Sequence, residues 1–402
     1  MARTQLDVFL LFSARIVRLF AYGALSVVLA LYLHEGGMTG SAIGLLFTLT
    51  LAGDAGVSLW ITTTADRIGR RKMLLLGAGL MIMAGVVFSV TRDPLLLTAA
   101  AIIGVISPSG NEIGPFLSLE QAALSQLLTQ EQRTKAFAWY NLAGSIATAS
   151  GALAGGFLSQ ALHAAGMSEL GSYRAVIFAY AACGVILAGL FLLVSPAVEV
   201  AKAAPARDRI LGLHASRSVV MKLSALFALD AFAGGFVIQS MVAYWFHIKF
   251  GIDAGLLGGI FFVANILAGV SALLAVKIAS RIGLINTMVF THIPSNVLLC
   301  LVPLMPNLGL AITMLLVRFS ISQMDVPTRQ SYTMAVVAPD ERSAAAGVTG
   351  IARSVGAAVS PALAGVLLAS PALLSAPFLV AGGLKIVYDL MLYRSFRKTE
   401  EA

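Results

Sequence analysis

Ionisable side chains stand where this 402-residue chain is otherwise apolar. Asp54 is followed closely by Gly56. Glu112 lies in Ser107-Pro108-Ser109-Gly110-Asn111-Glu112-Ile113-Gly114-Pro115, and Asp230 in Leu229-Asp230-Ala231-Phe232-Ala233-Gly234-Gly235. Arg15 and Arg18 are spaced i, i+3, while Asp325 and Arg329, like Lys385 and Asp389, are spaced i, i+4. Each such pair shares one face if the segment is helical. Glu120, Arg318, Arg353 and His292 complete the set. A carboxylate removed from water can take up and release a proton. An arginine can hold that carboxylate or an anionic ligand, and an imidazole titrates near neutral pH. No His-Glu-x-x-His pattern and no Gly-x-Ser-x-Gly elbow accompanies these groups, which argues against an enzyme. Cys183 and Cys300 offer neither a disulfide framework nor a metal-ligand set, and no cofactor-binding motif is evident.

The elements that position these groups follow from composition. The chain is 58% hydrophobic and 11% charged, with a mean hydropathy of +0.90. A water-soluble domain carries about 25% charged residues. The apolar residues come in runs of roughly 20, the length that spans a hydrocarbon core about 30 Å thick. An all-α membrane protein is expected, with twelve segments near 8–33, 40–61, 73–91, 95–127, 134–161, 173–195, 219–247, 254–279, 284–304, 308–337, 343–370 and 373–393. The first run is long enough to remain as a helix rather than be cleaved as a signal peptide. An ionised residue near the middle of such a helix costs about 2.5–3.5 kcal/mol or more, so the charges above are candidates for function.

The net charge of +8 is not a nucleic-acid signal, because the basic residues occupy alternate loops. Eighteen lysines and arginines fall on one side and three (Arg92, Arg174 and Lys249) on the other. Positive loops stay inside, so both termini are expected in the cytoplasm. The longest polar stretch, 196–218, divides the segments six and six. It suggests an N-terminal bundle over 1–195, a cytoplasmic linker over 196–218 and a C-terminal bundle over 219–402. An internal repeat supports two halves. The stretch Ala147 to Gly156 recurs 209 positions later as Gly356 to Gly365, and Asp66-Arg67-Ile68-Gly69-Arg70 is echoed 214 positions later by Ser280-Arg281-Ile282-Gly283-Leu284. Repeated halves are usual in secondary transporters, whose sites lie between them near the midplane and beside interrupted helices. Segments four (106–115) and ten (Asp325-Val326-Pro327-Thr328-Arg329) each carry such an interruption signal.

Twelve segments, a central linker and the loop Thr62-Thr63-Thr64-Ala65-Asp66-Arg67-Ile68-Gly69-Arg70-Arg71-Lys72 together resemble the major facilitator superfamily over the whole chain. The loop is similar to that family's signature Gly-x-Leu-Ala-Asp-Arg-x-Gly-Arg-Arg, matching at Ala65, Asp66, Arg67, Gly69, Arg70 and Arg71. Thr62 and Thr64 replace its glycine and leucine. The resemblance implies that Asp66 caps segment eleven and that Arg70 pairs with an acid at the inner end of segment four. Gln126 stands where that acid is expected, leaving Glu120 or Glu131 as substitutes. Segment five resembles the antiporter motif Gly-x-x-x-Gly-Pro-x-x-Gly-Gly through Gly151, Gly155 and Gly156. Segment eleven keeps Gly356 and Pro361. Small residues at this spacing also let helices approach closely.

The resemblance implies that segments one, four, seven and ten line a central cavity, which would gather Arg18, Glu112, Asp230, Asp325 and Arg329. Arg15 is read as snorkelling to the membrane surface. Lys385 and Asp389, on a segment peripheral in that fold, are read as a self-paired structural couple. The expected function is transport of a small solute by alternating access, coupled to protons. Asp230, Asp325, Asp54 and Glu112 are the candidate proton carriers, in that order, with Arg18 and Arg329 as anion holders or acid partners. The similarity favours export by antiport, in the drug/proton antiporter-like branch. Proton symport or uncoupled diffusion is the alternative. The expected setting is a lipid bilayer, a bacterial inner membrane, with the protein monomeric.

Overall fold

The computed structural model describes residues 2–111, 116–199, 213–214, 216–338 and 341–400. Glu112 and most of the linker expected over 196–218 lie outside the described residues, as do the side chains of Asp66 and Glu131. The expectations attached to them lie outside with them.

The fifteen α-helices among the described residues are α1 (Ala2–Glu35), α2 (Gly40–Ile68), α3 (Arg70–Val90), α4 (Pro94–Ile103), α5 (Phe116–Leu127), α6 (Gln130–Ala164), α7 (Glu169–Leu193), α8 (Arg217–Gly235), α9 (Gln239–Phe250), α10 (Ala254–Ile282), α11 (Leu284–Leu301), α12 (Leu308–Phe319), α13 (Asp325–Ala335), α14 (Arg342–Leu368) and α15 (Ala376–Glu400). They cover all twelve expected segments. Among the described residues ten spans are long and apolar enough to cross a membrane, and α8 with α9 counts as one of them. Segments four and ten are each built from two shorter helices, α4 with α5 and α12 with α13.

Local chemistry sets these boundaries. Asp93 accepts from the Leu95 and Leu96 amides, and Pro94 opens α4 at a position that needs no amide donor. Thr129 and Gln132 form a capping box at the start of α6. Gly69, between α2 and α3, has φ +116°, and Gly283, between α10 and α11, has φ +87°. A side chain at either position would be strained, so the echo of the signature loop has a conformational cause. Phe157, Phe178, Leu193 and Val276 point outward from their helices. That is stable only in a solvent as apolar as they are, and the helices satisfy their own backbone groups there.

The chain divides into two compact units. One comprises Met1–Thr39, Leu49–Pro205 and Val242–Phe262, and the other Gly40–Thr48, Ala206–Met241 and Val263–Ala402. In the first unit α1 packs along α6, and in the second α8 packs along α14. The expected small residues make these approaches. A Cβ at Gly155 would come within 2.7 Å of the Ala24 Cα, one at Gly151 would strike the Phe20 carbonyl, and one at Gly356 the Ala228 carbonyl. Two further crossings repeat each other. In the first unit a Cβ at Gly156 would lie 2.9 Å from the Gly258 Cα, and in the second a Cβ at Gly365 would lie 2.8 Å from the Gly44 Cα. Gly156 and Gly365 are 209 positions apart, and Gly44 and Gly258 are 214 apart, the two offsets of the sequence repeat.

Candidate functional site

The charged side chains of the second unit converge on Asp230, which α8 holds almost fully buried. Lys385 on α15 donates to its Oδ1 at 2.5 Å. Arg329 on α13 and Arg353 on α14 each donate to its Oδ2 at 3.2 Å. Arg329 also donates to Asp325 at 2.8 Å, so the i, i+4 spacing closes as expected. One carboxylate thus joins four helices. Arg329, Asp325 and Lys385 are buried as well, whereas the Arg353 side chain is 36% exposed. The Phe227 ring lies 5.4 Å from the Arg329 guanidinium. Below it is a shell of apolar side chains including Leu223, Met288, Tyr332 and Tyr388. Ion pairs walled in this way are strong because little water competes, and costly if one partner is removed.

The break between α12 and α13 makes this geometry. It places Asp325 in the first turn of α13, where the helix dipole favours a carboxylate. Pro327 falls in that same turn, where its missing amide is not needed. Arg318 lies near the end of α12, before the break. Its guanidinium sits 5.1 Å from the Phe319 ring, and its buried Nε has no hydrogen-bond partner among the described residues.

A second cluster lies beside the first. His292 on α11 and Asp389 on α15 meet at 2.8 Å, and Asn296 donates to the other carboxylate oxygen at 3.2 Å. The reading of Lys385 and Asp389 as a self-paired couple is therefore corrected. Their i, i+4 spacing allows pairing, but buried partners on other helices take both. Lys385 answers Asp230, and Asp389 answers His292 and Asn296.

The first unit has its own buried pair. Arg18 on α1 makes a two-pronged contact with Glu120 on α5, at 2.6 and 2.8 Å, with both side chains 0% exposed. The Tyr140 hydroxyl donates to the same carboxylate. Glu120 is thus not the partner of Arg70, because Arg18 and Tyr140 enclose it. Arg15 does not snorkel. It is buried, lies 4.2 Å from the Tyr140 ring centre and donates to Asn141 at 3.3 Å. Asp54 is half-buried on α2 in the same unit and acts electrostatically on Tyr180.

The signature loop is held by Gln126, which stands where an acid is expected, and by Glu199, which the sequence reading missed. Arg70 donates to Gln126 at 3.1 Å and to the Val198 carbonyl at 3.3 Å, so a neutral amide serves where an acid is expected. Glu199 supplies the acid. Its two oxygens accept from the Arg70 amide at 2.7 Å and the Arg71 amide at 3.1 Å, capping α3. Arg71 turns to the Phe191 and Leu192 carbonyls at the end of α7, while Arg67 is exposed. Asp7 accepts from the Ser195 amide at 2.8 Å and its hydroxyl at 2.6 Å. In the second unit buried Glu341 accepts from the amides of Ser216 and His214. Glu199 and Glu341 sit in polar stretches that no membrane-charge argument searches. An acid next to a helix start was the only available signal.

Known proteins bear on this arrangement in three ways. The model of the Major Facilitator Superfamily matches residues 11–361. The chain is 31% identical over 417 residues to the uncharacterized membrane protein YJR124C of Saccharomyces cerevisiae, covering 96% of this chain and 93% of that one. Its fold is similar to that of the nucleoside transporter NupG, with a TM-score of 0.74 at 14% identity over 97% of this chain and 99% of that one. It is also similar to that of a D-xylose-proton symporter, with a TM-score of 0.72 at 13% identity over 96% and 97%. With the twelve helical segments, the repeat and the glycine-turned loop already in place, these matches make the chain a member of the Major Facilitator Superfamily.

Proposed function

We propose that this chain drives a small solute across the membrane by alternating access coupled to protons, with the charge cluster at Asp230 as the coupling site. Membership of the superfamily makes it a small-solute transporter rather than an enzyme. The observation that carries the rest is the single carboxylate shared by cations from α13, α14 and α15. Neutralising that charge, or drawing off its cations, changes contacts on four helices at once. A local event of that kind can bias a two-state equilibrium of helices. Asp325 and Asp389 lie on the same helices as two of those cations, α13 and α15.

Two directions of coupling are open to such a site. Export by proton antiport follows the resemblance of segment five to the antiporter motif, and requires solute and proton to compete. Proton symport requires them to help each other. The surroundings of Asp230 favour the second. A solute that occupies the surrounding cations leaves the carboxylate to be neutralised by a proton instead. The orientation we propose keeps the signature loop and both termini in the cytoplasm, in line with the distribution of lysine and arginine.

The test is purified protein in liposomes loaded with a pH dye, challenged with a panel of solutes. Acidification of the lumen on solute entry establishes symport, and alkalinisation on solute entry establishes antiport. Absence of solute-linked proton movement across the panel would sink the coupling. Asp230→Asn and Asp325→Asn should each abolish coupled movement, and wild-type rates in both would remove them from the mechanism.

A further inference from the structure

We infer that the transported solute is a small anion bearing a carboxylate or phosphate group, held by Arg353 and Arg318. This deepens the proposed transport function and rests on it. Four cationic side chains (Arg318, Arg329, Arg353 and Lys385) are gathered around two carboxylates, Asp230 and Asp325. The third acid, Asp389, is engaged by His292 and Asn296. Cations therefore exceed the acids available to them. Arg318 and Arg353 are half-buried, so water meets their positive charge only in part and a counter-charge would complete it; a neutral or cationic solute would not supply one.

The two arginines that could receive it are distinguishable from the other two cations. Lys385 and Arg329 are buried and spent on Asp230 and Asp325. Arg353 gives Asp230 one contact from Nη1 at 3.2 Å while its side chain stays 36% exposed. Arg318 is in the electrostatic field of both Asp325 and Asp230, yet no hydrogen bond or ion pair engages its guanidinium among the described residues, and its Nε is buried without a partner. An arginine presents five donors in a planar fork that matches a carboxylate or a phosphate in two-pronged fashion. Unused fork positions beside a carboxylate hub are what an anionic solute would complete. Drawing Arg353 toward the solute would loosen one of the three contacts on Asp230, which links solute arrival to the hub.

Thermal unfolding of the purified full-length protein tests this, since a ligand of the folded state raises the melting temperature with its concentration. The probes are inorganic phosphate, succinate and benzoate as anions, glucose as a neutral solute and tetraphenylphosphonium as a cation. At least one anion should stabilise the protein saturably, and neither glucose nor tetraphenylphosphonium should. Arg353→Gln and Arg318→Gln should each weaken that anion by about 10- to 100-fold, the scale of one charge-assisted contact, read as the ligand-induced rise over each variant's own ligand-free melting temperature. Arg353→Lys should recover part of the loss. Stabilisation by glucose or tetraphenylphosphonium alone, by none of the anions, or by an anion whose affinity survives both glutamine variants would overturn the assignment. The liposome assay separates this from the transport reading. Flux of only neutral or cationic solutes removes the anion and keeps the transporter, whereas anion binding without flux of any solute removes the transporter.

Discussion

Removing either partner of the Arg18–Glu120 pair leaves a full charge with no water to receive it. Glu120→Leu or Arg18→Met should therefore destabilise the protein by about 3–5 kcal/mol. The double change to Met and Leu should restore most of the loss, because both charges then leave together. Melting of the three purified variants reads this out, and additive losses in the double variant would mean that the pair is not the unit. At Asp230 the expectation differs. Asp230→Asn strands cations on three helices, and Lys385→Met alone strands only part of the carboxylate's charge. Combining them should regain stability over Asp230→Asn by about 1–3 kcal/mol while coupled transport stays absent, a non-additivity expected of groups in direct contact. Stability and transport that recover together would assign the hub to folding alone. These outcomes turn on partners rather than on residue type: Arg18 and Arg329 are both buried arginines, but one is closed by a single acid and a tyrosine and the other shares its acid with two further cations.

Helix spacing is decided by whether a Cβ has anywhere to go. Gly258 and Gly259 are chain neighbours on α10 that make the comparison internal to one helix. A Cβ at Gly258 would meet the Ala152 carbonyl at 2.7 Å, whereas one at Gly259 meets nothing within 4 Å. Gly258→Ala should cost about 1–3 kcal/mol through forced separation of α10 from α6. Gly259→Ala should be neutral or slightly stabilising, since alanine is the better helix former. Equal melting temperatures would mean that the backbone absorbs the methyl group. The same logic applies to Gly365 on α14 against Gly44 on α2, the equivalent crossing of the repeat. The stripe Gly151, Gly155 and Gly156, taken with Gly356 and Gly365 of the repeated stretch, is thus used up in close helix contact. Its resemblance to an antiporter motif carries no direction of transport by itself. At the start of α3 the relevant element is the cap. Glu199→Gln should lose about 1 kcal/mol or somewhat more, as two amides exchange a charged acceptor for a neutral one.

For the molecule as a whole, the distribution of lysine and arginine predicts a topology that can be tested chemically. After replacement of Cys183 and Cys300 by alanine, a cysteine at Ser280 should react with a membrane-impermeant thiol reagent only from the cytoplasmic side. A cysteine at Asp93 should react only from the opposite side. Both positions are exposed at the ends of helices. Labelling of Ser280→Cys in intact cells would reverse the orientation. The two compact units each contain a buried charge network, and the networks are not equivalent. Among the described residues the first holds the closed Arg18–Glu120 pair, and the second an open cluster around Asp230. A repeat that preserves helix spacing at offsets of 209 and 214 has thus diverged most in its buried charges, as expected if packing is shared by both halves and chemistry is not.

The sequence by itself determined the class, the segments and the family. Long apolar runs have only one stable home, a bilayer has only one economical way to satisfy a helical backbone, and a glycine in a left-handed turn leaves a readable mark at Gly69 and Gly283. It also placed Asp230, Asp325 and Arg329 together, because two of them share a helical face and the resemblance brings the third to them. Only the tertiary structure decided which charge answers which. Lys385 joined Asp230 instead of Asp389, Glu120 joined Arg18 instead of Arg70, and Gln126 with Glu199 took over the signature loop. The physical reason is range. Apolar burial and turn chemistry are properties of neighbours along the chain, whereas the ion pairs named here, Arg329–Asp325 apart, join groups 97 to 155 residues apart. Their choice among several available partners is made by where the helices pack.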